Sequence, residues 1–173
     1  MLFAKLLRRK QKSRGHLRAQ VTRAGELTGF DVVSPLLPSE MEPVLDEALK
    51  ALGAVGAKAR EARVERLVHE AKKRAGLIDK LRGRAAERID AARRSVPVEL
   101  FEGQSEDGRV AVTLDGGFGY VRLVVAPGTP VDAALAGVRQ AYAAAVAEVE
   151  RCWTSVLDEA RGEAPEAPDG PTG

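Results

Sequence analysis

The sequence predicts an α+β fold in which antiparallel β-hairpins and a meander are flanked by long α-helices. Three features carry that expectation. Val110, Val112 and Leu114 alternate with Arg109, Ala111 and Thr113, and Val121, Leu123 and Val125 continue the apolar face on a return segment. Gly15 to Val33 (GHLRAQVTRAGELTGFDVV) repeats the pattern 93 residues earlier, setting Leu17 on Val110, Ala19 on Val112, Phe30 on Leu123 and Val32 on Val125. A helix-start signature follows each copy, so the two hairpin-plus-helix units read as an internal duplication.

In chain order, Met1 to Lys12 (MLFAKLLRRKQK) is a basic amphipathic segment with Leu2, Phe3, Leu6 and Leu7 on one helical face. A dozen residues with one aromatic make a weak membrane anchor, so a helix docked on the domain is expected. After the first hairpin, Ser39 and Glu42 have the spacing of a capping box. Ser39 to Ser95 then reads as mostly helix, with a break or bend expected near Gly53–Gly56 or Gly76, and Pro97 stops it. Val64, Leu67, Ala71, Ile78, Leu81, Ala85, Ala92 and Val96 form a narrow stripe along it, like a coiled-coil seam. Val98–Glu102 (VELFE) is the expected first strand of a meander, and Asp115-Gly116-Gly117 offers positive-φ positions for its hairpin turn. Thr129 as N-cap and Pro130 at the first helical position open a last helix with Leu135, Val138, Tyr142, Ala145, Val149, Cys152 and Val156 on one face.

This reading divides the chain into a basic N-terminal segment (1–14), a first hairpin-plus-helix unit (15–56), a helix/three-strand/helix unit (57–161) and an acidic Pro/Gly-rich tail (162–173) expected to be disordered. No run is long and apolar enough to span a membrane, and the N-terminus lacks the apolar stretch of a signal peptide. One cysteine, Cys152, excludes an intramolecular disulfide framework, and a reducing cytoplasm is the simplest expected compartment.

Charge is polarised along the chain. Residues 1–94 hold 22 Lys or Arg against 12 Asp or Glu, and residues 95–173 hold 5 against 13. Such asymmetry points either to a polyanionic partner for the first half or to packing of the basic half on an acidic half of a partner subunit.

A helix, three antiparallel strands carrying DGRVAVTLDGGFGYVRLVV and a Pro-started, Ala-rich helix together resemble the YbaB/EbfC family of small bacterial nucleoid-associated proteins. The Ala/Arg-rich style resembles actinobacterial members. The likeness covers roughly Arg60 to Arg161, and GELTGFDVVSPLLPSEMEPVLDEAL in the first unit resembles the family's last strand, leucine-bearing loop and second helix. The resemblance implies a YbaB-like fold and a homodimer that binds duplex DNA with little sequence preference. A duplicated chain departs from the family's single-copy pattern.

Little in the sequence suggests catalysis. His16 and His69 are isolated and no metal-ligand spacing exists, so no metal, cofactor or small-molecule substrate is expected. Cys152, beside Trp153 on a packing helix, reads as a buried structural thiol. The chain therefore reads as a non-enzyme, with two functions open. In the first, Arg8, Arg9, Lys10, Lys12, Arg14 and Arg18, with Lys72, Lys73, Arg74, Lys80, Arg82 and Arg84, neutralise duplex DNA phosphates in the nucleoid. In the second, the chain is a structural or secretion-associated adaptor whose long helices pair with a protein partner. The two hairpins are expected to share one core as a pseudo-dimer, burying faces that carry Val21, Phe30, Leu114 and Leu123, with a homodimer covering the Val64–Val96 seam.

Overall fold

Apolar alternation becomes strand, and the 3.6-residue stripes become helix, in the order the sequence lays them down. The computed structural model describes residues 17–22, 26–75 and 82–162, except the side chains at 54, 55, 82 and 83. The elements are β1 (Leu17–Val21), β2 (Leu27–Val32), α1 (Met41–Val55), α2 (Ala57–Ala75), α3 (Arg82–Arg94), β3 (Leu100–Gln104), β4 (Val110–Asp115), β5 (Tyr120–Val125) and α4 (Val131–Gly162). The fold is α+β, with β1–β2 and β3–β4–β5 forming two separate antiparallel sheets. No helix among the described residues is long and apolar enough to cross a membrane. The expected segment 1–14 and the tail beyond Gly162 lie outside the described residues.

The offset of 93 residues runs through the hydrogen-bonded pairing as well as the sequence. Leu17 faces Val32, Ala19 faces Phe30 and Val21 faces Leu27. Val110 faces Val125, Val112 faces Leu123 and Leu114 faces Tyr120. The register slips between Gln20 and Val21 in one ladder and between Thr113 and Leu114 in the other, again 93 apart. Two unrelated hairpins would have no reason to share both a register and the place where it breaks. The slip also explains why Val121, expected on the apolar face, is exposed, while Tyr120 turns inward and donates its hydroxyl hydrogen to Asp46 of α1.

The β4–β5 turn differs from expectation. Its left-handed residue is Phe118, at φ 62°, and neither Gly116 nor Gly117. Asp115 fixes the turn by accepting from the amides of Gly117 (2.9 Å) and Gly119 (2.6 Å). A bulky residue with positive φ is strained by about 1–2 kcal/mol. Burial of the ring, worth about 1.5–3 kcal/mol, offsets it, and the guanidinium of Arg63 lies 5.4 Å from the ring centroid. Glycine matters at Gly116 for another reason: a Cβ there would stand 2.1 Å from the Pro97 carbonyl.

Both helix starts also differ. α1 starts one residue later than the Ser39–Glu42 box requires: Glu40 is its N-cap, with no side-chain cap, and the Glu40 amide closes a turn onto the Leu37 carbonyl (3.0 Å). Thr129 does not cap α4; its hydroxyl donates to the Ala126 carbonyl (2.6 Å), and Pro130 supplies the first helical acceptor. The first meander strand starts two residues later than expected, leaving Val98 97% exposed.

One hydrophobic cluster contains residues of both sheets and all four helices. α4 is its centre. Its N-terminal half lays Ala134, Gly137, Ala141 and Ala145 on β3 and β4, and its later turns present Val149, Trp153 and Leu157. Trp153 and Leu157, rather than Cys152 and Val156, complete the buried face, and Trp153 Nε1 donates to the Gly116 carbonyl at 2.7 Å. The packing is reciprocal: α4 also touches β2 of the first hairpin, and α1 touches β5 of the second sheet. The first hairpin therefore belongs to the same core, with Phe30 packed against it, although Val21 is 41% exposed.

The long helical region breaks at Gly56, as its glycines suggest, and α3 returns antiparallel along α2. Glu65 pairs with Arg93 and Lys72 with Asp90, which fixes that direction. Of the expected seam, Ala71 and Ala85 are buried and Val64, Leu67 and Ala92 are partly buried against the core, with Val68 and Ile89 buried beside them, whereas Val96 is 52% exposed. Residues 76–81, including Ile78 and Leu81 of the stripe, lie outside the described residues.

Close approach of α4 to β3 gives a direct test. A Cβ on Gly103 would sit 2.2 Å from both the Ala141 carbonyl oxygen and the Ala145 amide. Gly103→Ala should therefore destabilise the fold by about 2–3 kcal/mol, as overpacking does, measured by urea unfolding. A loss below about 0.5 kcal/mol, the ordinary range for surface changes, would contradict that packing.

Candidate nucleic-acid interface

Basic residues were placed on α2 and α3 by a sequence that keeps the apolar stripe narrow, and the structure sorts them by partner. Lys72 Nζ donates to Asp90 Oδ1 at 2.6 Å. Arg74 lies 3.8 Å from Glu70 and 3.8 Å from Asp158 of α4. Both were expected to be available to phosphate, and both are engaged by acids of their own chain. Lys73 and Arg84 are exposed and form no ion pair among the described residues. Arg18 is exposed on β1. Arg82 opens α3 without a described side chain, and Arg8, Arg9, Lys10, Lys12, Arg14 and Lys80 lie outside the described residues.

Two cations that sequence reasoning passed over join the exposed set. Lys58 at the start of α2 and Arg94 at the end of α3 also form no ion pair among the described residues. Lys58 and Lys73 stand 15 residues apart, about 22 Å along a helix. His69, Lys72, Lys73 and Ala75 of α2 line an open groove with Ala86 of α3. Along the two helices these cations alternate with exposed acids, Glu61 and Glu70 of α2 and Glu87 of α3.

Arg63, whose side chain is only 8% exposed, has its Nε 3.7 Å from Glu150 and its Nη2 4.0 Å from Glu26. Arg66 reaches the same Glu150 at 3.2 Å. Arg63 thus joins α2 to the first hairpin, to α4 and, through Phe118, to the β4–β5 turn. Part of the charge polarity of the sequence is neutralised within one chain, where a partner subunit was one expectation.

The remaining reactive groups are quiet. Cys152 is half-buried rather than buried; burial, then Glu99 and Glu159, push its thiol up, away from thiolate. Among the described residues no group of His, Cys, Asp and Glu could hold a metal ion. No family model, curated protein or solved structure matches the chain.

The Lys72–Asp90 pair has a pH signature. The hydrogen bond from Lys72, then the charges of Lys72, Arg93 and Arg94, hold the Asp90 carboxyl below the usual carboxylate range against slight desolvation. With the folded value below the unfolded one of about 3.9, the pair's contribution is present above about pH 5 and is lost as pH falls through the folded value. The stability gap between the protein and its Asp90→Asn variant should therefore stay constant from neutral pH to about pH 5 and narrow in more acidic urea titrations. A gap that widens on acidification would reverse this assignment.

Proposed function

We propose that this protein binds duplex DNA without reading its sequence and catalyses no reaction. The observation that carries this reading is the set of exposed cations on the α2–α3 hairpin, Lys58, Lys73, Arg84 and Arg94, that form no ion pair among the described residues. Phosphate contacts by such side chains release counterions, which supplies affinity and makes it fall steeply with salt. The basic residues Arg8, Arg9, Lys10, Lys12 and Arg14 would extend the same electrostatic footprint. With 4% aromatic residues the chain has little to stack on unpaired bases, which favours duplex over single strands. The resemblance to YbaB/EbfC proteins points the same way, and a nucleoid location in the cytoplasm follows from this reading. An adaptor that pairs its long helices with a partner is less well supported, since Val64, Leu67, Ala71, Ala85 and Ala92 of the seam it would offer pack at least partly inside the chain.

Fluorescence anisotropy with a labelled duplex across a salt series tests the reading. Lys73→Ala with Arg84→Ala should weaken binding to all duplexes alike and flatten the log–log salt slope by about two units. Lys72→Ala should change it by less, because Asp90 already holds that ammonium. Asp90→Asn, which frees Lys72, should steepen the slope by up to about one unit. Salt-independent binding, or no binding near physiological salt, would refute the proposal.

A further inference from the structure

Two donors sit deep in the fold without an acceptor. Arg63 is 8% exposed and Tyr142 9%. The acids nearest Arg63, Glu150 at 3.7 Å and Glu26 at 4.0 Å, stand outside hydrogen-bond distance. Apart from the Phe118 ring, its guanidinium has no other partner among the described residues. The Tyr142 hydroxyl makes no hydrogen bond there either. Burial pushes the Tyr142 pKa up, against the charges of Arg63 and Arg60, so the hydroxyl keeps its proton at neutral pH. Buried N–H and O–H groups are nearly always hydrogen-bonded, so two such donors at one place call for an acceptor.

Both residues line one cleft between the first hairpin, α2 and α4. Its volume of about 290 Å³ far exceeds the roughly 30 Å³ of one water. Periodicity builds it: Tyr142, Val146 and Glu150 recur every fourth residue along α4, and Arg63 and Arg66 are three apart on α2, so each set shares a helix face. Leu27 of β2 joins Val146 as apolar lining, with Glu26 just before it. Arg63 and Arg66 balance Glu26 and Glu150, so the lining is formally neutral. A plain anion would meet the two carboxylates and a plain cation the two guanidiniums, whereas a molecule carrying both charges close together suits both pairs.

We propose that this cleft binds a free α-amino acid with an aliphatic side chain. Its carboxylate accepts from the planar fork of Arg63 and from the Tyr142 hydroxyl. Its ammonium donates to Glu26 and to Glu150, whose Oε1 both arginines approach, leaving Oε2 for the ligand. Its side chain lies on Leu27 and Val146. The site shares no residue with the exposed cations of α2 and α3, so it stands apart from the surface proposed to meet DNA.

Isothermal titration of the full chain with L-leucine, L-leucine amide and 4-methylpentanoate tests this, since the amide lacks the carboxylate and the acid lacks the ammonium. Leucine should bind in the millimolar range or tighter, and each of the other two at least about tenfold more weakly. Tyr142→Phe should weaken leucine binding about fivefold without lowering the urea midpoint, because the hydroxyl has no partner in the fold to lose. Glu26→Gln, at an exposed position, should weaken it similarly. No leucine binding at tens of millimolar overturns the proposal. So does equal binding of the amide or of 4-methylpentanoate, which would make the cleft a simple cation or anion site. A Tyr142→Phe variant that keeps full leucine affinity, or that loses stability because the hydroxyl is satisfied within the protein, overturns it too.

Discussion

The stripe of small residues that α4 turns toward β3 and β4 is the constraint on which the other elements depend. The first turns of the helix carry Ala134, Gly137, Ala141 and Ala145, small enough for β3 and β4 to lie almost against the helix backbone. Later turns carry Val149, Trp153 and Leu157, which fill the wider space under α2 and α3. A helix uniform in either sense would serve one of these neighbours and leave the other with clashes or voids. Trp153 adds a polar tie, binding the Gly116 carbonyl and so anchoring the turn that places Phe118 beneath Arg63.

From that arrangement the charge distribution follows. α4 brings Glu150 and Asp158 alongside α2, where they meet Arg63, Arg66 and Arg74. Those cations serve cohesion between elements, and α3 adds its own acid, Asp90, against Lys72. Lys58 and Lys73 of α2 and Arg84 and Arg94 of α3 stay exposed, with no ion pair among the described residues. A run of basic residues in one dimension thus separates in three dimensions into a set paired with acids of the same chain, of which only Arg63 is buried, and a set exposed without an ion pair among the described residues.

Elements set by local pattern were legible in the sequence, and those set by distant contact were not. The hairpins, the break at Gly56 and the last helix follow from alternation, glycine and periodicity. The Ser39–Glu42 box did not form because the Leu37–Glu40 turn carries the chain one residue further before α1 starts, which makes Glu40 rather than Ser39 the N-cap. The turn placed its positive φ on Phe118 because a buried ring under Arg63 outweighs the convenience of glycine, and Arg63 lies 55 residues away in sequence. The seam looked orphaned because its cover, α3 and α4, follows from the chain doubling back rather than from the stripe. For the site, Arg74 could have been discounted from Glu70 four residues before it. Nothing local betrays that Lys72 meets Asp90 while Lys73 beside it stays exposed.

The measurement closest to the central claim is a backbone amide NMR titration of the full chain with a short duplex at moderate salt. The account predicts shifts concentrated around Lys58, Lys73, Arg84 and Arg94, fading as salt is added, with the β4–β5 signals unmoved. Shifts centred on the β3–β4–β5 sheet, or none along α2 and α3, would contradict it.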